Sequence, residues 1–176
     1  MSQITTPAEA LKLLSNLGAP PRLIAHLKLV GEAAEELIDL LKKLNLNLDY
    51  QFIKIGTALH DAGKTVHQSE LSEKGNLHEP EGEKLLLENN IPPSLARVCQ
   101  SHARYNEMEC TLEELVIALS DKLWKGERVE SLEQIIIEKI ANKSGADKWD
   151  IYIKLDSCFE NIARKGDDRL RRQLES

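Results

Sequence analysis

The sequence predicts an all-α protein. Apolar residues recur at spacings of three and four along almost the whole chain, no segment alternates with a period of two, and prolines and capping residues fall where helices should begin. Aromatics make up only 4% of the chain, so leucine and isoleucine must build an aliphatic core.

In chain order, the pattern places helices over 7–17, 21–44, 49–61, 80–90, 93–105, 111–126, 129–143 and 147–173. Pro21 suits a first helical turn, where the missing N–H costs nothing, and Pro80 and Pro93 open two later helices in the same way. The helix over 49–61 is expected to close at Gly63, with Lys64 favourable at the negative end of the dipole. Between it and the next helix lies "TVHQSELSEKGN", Thr65 to Asn76, which is polar and has no period. A loop of that length is either a mobile decoration or the wall of a binding site, and its His67 reads as a solvated side chain. Thr111 and Glu114 form a capping box for the helix over 111–126. The tail "RLRRQ", Arg169 to Gln173, reads as a solvated helix end. With 176 residues, no repeat and no linker-like stretch, residues 1–176 are expected to form a single domain.

Hydrophobic residues at 41% and charged residues at 30% are ordinary for a globular chain. A formal net charge of -6 argues against a nucleic-acid polymer as partner, because such binding rests on clustered lysine and arginine. Small anionic substrates are not excluded by it. The start "MSQITTPAEALKLL" lacks the pattern of an export signal, and no run approaches the length that spans a bilayer, so the expected location is cytoplasmic, away from membranes. Cys99, Cys110 and Cys158 are odd in number and poorly spaced for a thiolate site, so they are expected to be free thiols.

The informative residues are histidines and aspartates on inward faces. His26 shares a helix face with Leu23, Val30, Ala33 and Leu37, and His102 continues the stripe of Leu95, Val98 and Cys99. Asp121 lies opposite the stripe of Leu112, Leu115, Val116, Leu119 and Leu123, beside Ile117, Ala118 and Trp124, so both sides of that helix read as buried. A carboxylate there needs a cation or hydrogen bonds to offset its burial. His60 and Asp61 close the helix over 49–61 four residues after Gly56, and His78 stands one turn before Gly82; each glycine is expected to leave room beside an imidazole. Taken singly, such a histidine reads as a hydrogen-bonded core residue. Together, four histidines and two aspartates suggest one interior site.

The succession His26, His60–Asp61, His78, His102, Asp121 resembles the signature of the HD-domain metal-dependent phosphohydrolase superfamily over roughly 23–126. That resemblance implies an HD-domain-like helical bundle of about seven to eight helices, with a metal-site core over about 21–126 and C-terminal helices over 129–173 packed on it. It further implies that His26, His60, Asp61 and Asp121 hold one divalent ion, that His78 and His102 match members with a second, and that Asp61 bridges the two. "HDAGK" is similar to the extended motif of phosphodiester-cleaving members, in which the lysine, here Lys64, touches a phosphate oxygen. Those diesterases usually pair two histidines where this chain has His102 alone between Ser101 and Ala103, which points away from a cyclic-dinucleotide substrate.

Imidazole and carboxylate donors without thiolates suit iron, manganese, cobalt, nickel or zinc. Such an ion activates water and takes up charge on a phosphoryl group. Lys64 is the leading phosphate contact, with Arg22, Arg104 and Lys125, each beside or one turn from a ligand, as further substrate-binding candidates. The expected activity is therefore hydrolysis of a small phosphorylated metabolite, a nucleotide above all, as monoester or diester, with Asp61 and Lys64 as catalytic residues. Two other readings stay open: a dinuclear-iron oxygenase of the same fold, and a nucleotide-binding module without turnover. Oligomeric state is not fixed by the sequence.

Overall fold

The computed structural model describes residues 4–175. They form α1 (Pro7–Asn16), α2 (Pro21–Lys43), α3 (Tyr50–Leu59), α4 (His78–Glu88), α5 (Pro93–Ala96), α6 (Val98–Arg104), α7 (Leu112–Leu123), α8 (Glu130–Ser144), α9 (Lys148–Ala163) and α10 (Gly166–Leu174), with 3-10 turns at Ala62–Thr65 and Gln68–Leu71. No strand occurs among the described residues, as the sequence predicts.

Local chemistry accounts for most boundaries. Thr6 and Glu9 cap α1 reciprocally, Thr111 and Glu114 do the same for α7, and the carboxylates of Asp49 and Asp147 accept from the first turns of α3 and α9. Gly145, at φ 67°, ends α8 in the left-handed conformation that a side chain would resist.

At the centre lies α7, with Leu115, Val116, Ile117, Ala118 and Leu119 essentially shielded from solvent and α2, α3, α6 and α8 packed around it. Full burial of each leucine or isoleucine contributes about 2 kcal/mol. Because α7 is enclosed on all sides, the polar Asp121 on it is held in the interior as well. Cys99 and Cys110 are buried free thiols and Cys158 is half-buried and free.

The structure departs from the sequence expectation at several points. The helix expected over 93–105 breaks at Arg97 into α5 and α6, and the one expected over 147–173 breaks into α9 and α10. At the second break Gly166 packs on the backbone of Lys125 and Gly126, an approach that forbids a Cβ and redirects the chain. The loop at 65–76 is not wholly irregular, since it holds a short 3-10 turn.

The basic tail is a solvated end only in part: Arg171 is exposed, whereas Arg169 and Arg172 dock on α2. Arg169 is 1% exposed and donates to the Ile162 carbonyl at 2.9 Å and to Glu36 at 2.6 Å. Lys165 reaches the same Glu36 at 2.6 Å, and Arg172 pairs with Glu32 at 2.7 Å. Two acids of α2 therefore clip α10 onto the helix that carries His26, and partnering makes the burial of a guanidinium tolerable.

Candidate metal centre

Five elements deliver the six ligand candidates to one place. His26 comes from the second turn of α2, His60 and Asp61 from the exit of α3, His78 from the first residue of α4, His102 from α6 and Asp121 from the last turn of α7. All six are buried. The 3-10 turn after Asp61 lies backbone to backbone on α4: a Cβ on Gly63 would stand 1.9 Å from the His78 carbonyl oxygen and 2.7 Å from the Gly82 nitrogen. Gly63 is thus a packing requirement rather than the expected helix cap. Gly56 likewise makes room for Ile117, and Gly82 faces Gly63 and Cys99; neither glycine makes the expected space beside an imidazole.

Asp61 divides its two oxygens. Its Oδ2 lies 3.0 Å from His26 Nε2 and 3.6 Å from His60 Nε2, while Asp121 Oδ1 is 3.6 Å and 3.3 Å from the same two nitrogens. Its Oδ1 lies 3.3 Å from His78 Nε2 and 3.5 Å from His102 Nε2. Two donor groups result, His26–His60–Asp61–Asp121 and Asp61–His78–His102, each with donor atoms within 4.8 Å of one another.

The tautomers make these groups suited to a cation. His60 Nδ1 faces the Thr57 carbonyl at 2.9 Å and His102 Nδ1 faces the Val98 carbonyl at 3.0 Å. A carbonyl only accepts, so each Nδ1 carries the proton. In a neutral ring Nε2 then presents a lone pair toward a carboxylate oxygen, an arrangement that calls for a positive charge between them. His26 Nε2, His60 Nε2 and Asp61 Oδ1 are buried without any hydrogen-bond partner, although such atoms are nearly always satisfied. The cluster of imidazole and carboxylate donors fits a divalent transition ion.

Charge coupling is strong. Burial alone would raise the Asp61 carboxyl, but the charge of His60, the close approach of the His26 and His78 imidazoles, and Lys64 hold it well below its ordinary range. Burial works against the charged form of His60 as well, yet Asp61 and Asp121 raise it, as Asp61 and Glu70 raise His78. His102 goes the other way, to about 4, through burial and the neighbouring His60. Metal binding must therefore displace protons from the raised imidazoles, so affinity falls as pH drops. Titration of metal at about pH 6 should give binding at least about tenfold weaker than at about pH 8, with proton release seen in buffers of different ionisation enthalpy.

A cavity of about 560 Å³ opens over the cluster, lined by all the ligand candidates except His60. Of the substrate-binding candidates, Arg22, Lys64 and Lys125 line it; Arg104 does not, because it turns to Glu107 and Gln100. Lys64 Nζ donates to Asp61 Oδ2 at 2.7 Å. His67 is half-buried, its Nε2 enclosed and unpartnered, rather than solvated. Leu71, Glu73, Lys74 and Gly75 supply one wall and Leu170 and Gln173 of α10 another.

Two residues escape sequence reasoning. Lys122 Nζ donates to Asp121 Oδ2 at 3.0 Å and lines the cavity. A lysine next to the aspartate, at the end of the apolar run Leu115–Leu119, was a usable signal. Glu70 bonds His78 from the aperiodic loop, where no spacing marks it. Trp124 packs edge-on against His26 with ring centroids 4.8 Å apart, and its place near Asp121 was legible.

Comparison with known proteins bears on this site. The chain is 28% identical over 141 residues to a tRNA (cytidine(56)-2'-O)-methyltransferase of Thermoplasma volcanium, an alignment covering 72% of this chain and 38% of that protein, so the chain spans well under half the length of the relative. In three dimensions it is similar to the HD domain of the L. monocytogenes phosphodiesterase PgpH, with a TM-score of 0.54 and 18% identity, covering 87% of this chain and 96% of that one. That likeness concerns the fold. Residues 23–126, which include every ligand candidate, match the sequence profile of the HD domain. The chain belongs to the HD domain family.

Proposed function

We propose that this protein is a metal-dependent phosphohydrolase acting on a small phosphorylated metabolite, with a nucleotide as the leading substrate class. The carrying observation is the pairing of two things in one place: a carboxylate shared between two histidine sets, and a cavity rimmed by Arg22, Lys64, Lys74, Lys122 and Lys125. Family membership and the fold of the phosphodiesterase neighbour support the same reading. His26, His60, Asp61 and Asp121 would hold one ion, and Asp61, His78 and His102 a second. When bound, such ions activate water and neutralise charge that builds on the phosphoryl group.

The chain's own groups do the rest. Lys64 and Lys122 each lean on one of the two ligand carboxylates and present their ammonium groups to the cavity, where a phosphate oxygen can take over part of the bond. Arg22, at the mouth, offers a forked donor for a second anionic oxygen. A volume of about 560 Å³ suits a metabolite of nucleotide size rather than a polymer. The methyltransferase relative acts on tRNA; the negative charge of this chain favours a small substrate over an RNA backbone.

The test is elemental analysis of the purified protein followed by a panel of phosphomonoesters and phosphodiesters with the metal restored. Metal-dependent phosphate release is the expected result. Turnover that needs dioxygen and ferrous ion, or tight nucleotide binding with no product, would replace this reading with an oxygenase or a sensor. Lys64→Ala should raise KM about tenfold or more while metal content stays at the wild-type level, since the lysine contacts the ligand but is not one.

A further inference from the structure

We infer that Glu70 is the positioning residue of the second ion's site, and that Gly75 is the glycine that admits its carboxylate; this rests on the two-ion reading above. Among the candidate ligands, His60 and His102 have their rings fixed by carbonyls of their own helices, Thr57 and Val98. His78 differs. Its Nδ1 lies 2.5 Å from Glu70 Oε2, a side chain that belongs to the 3-10 turn eight residues upstream.

That carboxylate is itself held from several directions. Its Oε1 accepts from the Leu77 amide at 3.2 Å and its Oε2 from the His78 amide at 3.2 Å, both at the opening of α4, where the helix dipole favours an anion. The Glu70 side chain is only 7% exposed, so its charge depends on these contacts. With Nδ1 held by the carboxylate, Nε2 is directed to Asp61 Oδ1 at 3.3 Å, which belongs to the second donor group. A carboxylate behind a ligating imidazole orients the ring and raises its basicity.

Gly75 explains how the acid fits. A Cβ at that position would lie 2.3 Å from Glu70 Oε1 and 2.4 Å from its Cδ. The residue is not among the glycines with positive φ, so alanine meets no backbone strain there and the conflict falls on the carboxylate. The same segment lines the cavity through Leu71, Glu73 and Lys74. One acidic side chain therefore ties the wall that faces substrate to a ligand of the second position.

The experiment is calorimetric titration of manganese(II) into the metal-free full chain, for wild type, Glu70→Gln and Gly75→Ala. Wild type should take up two ions. Both variants should keep the affinity of the tighter event and lose about ten- to a hundredfold on the second, which is the scale of losses behind a ligating histidine. Glutamine keeps the size of the side chain, and Gly75→Ala tests the same carboxylate without replacing it. Unchanged binding of the second ion in both variants overturns the role of Glu70 and leaves the two-ion reading standing. Equal weakening of both events also overturns it, since that marks a general packing role. A single ion in wild type removes the two-ion reading and this inference together.

Discussion

Asp61→Ala is expected to empty both metal positions at once and to abolish activity. Each of its oxygens faces a different histidine pair; Asp121 also approaches His26 and His60, but Asp61 is the carboxylate that faces the Nε2 atoms of both His78 and His102. Without Asp61 the second group is reduced to two imidazoles, and the first loses the oxygen nearest to His26. Metal catalysis supplies several kcal/mol of barrier reduction, so the loss should be about a thousandfold or more in kcat/KM. Metal content by elemental analysis, with circular dichroism to show that helices persist, reads both parts. Full metal retention by the folded variant would end the assignment.

Gly63→Ala carries the second large effect, on stability and site together. The added methyl would sit 1.9 Å from a carbonyl oxygen and 2.6 Å from its carbon, and both atoms are backbone of His78. Backbone cannot rotate out of the way, so the turn and α4 must separate. Forced overpacking of this kind costs about 3 kcal/mol or more. The movement pulls His78 from Asp61, and metal affinity should fall with the melting temperature. Gly31→Ala is the matching control. It lies within α2 with no atom within 4 Å of the added methyl, and should stabilise by about 0.5–1 kcal/mol. Thermal melts of the two variants beside wild type decide the matter; equal melting temperatures would contradict the packing argument.

Much of this was legible in the sequence because helices write their faces as a period. His26, His102 and Asp121 declared their burial through apolar neighbours three and four residues away, and the capping box at Thr111 announced the start of α7. Contacts without a period were not legible. Glu70 reaches His78 across an irregular loop, and Arg169 finds Glu36 some 133 positions earlier, so no local pattern records either. Glycines misled for a related reason. What a missing side chain admits is set by the opposing element, which at Gly56 is Ile117 of α7 rather than an imidazole. Helix breaks at Arg97 and near Gly166 escaped because both flanks keep a helical pattern; at Gly166 it is the sequence-distant backbone of Lys125 and Gly126 that bends the path.

The divided carboxylate of Asp61 has a thermodynamic corollary. Two ions that leaned on one side chain would not be independent guests: the first would pin the group that the second needs, and their like charges would repel across it. Whichever sign prevails, reciprocity requires that the second alter the grip on the first by the same factor.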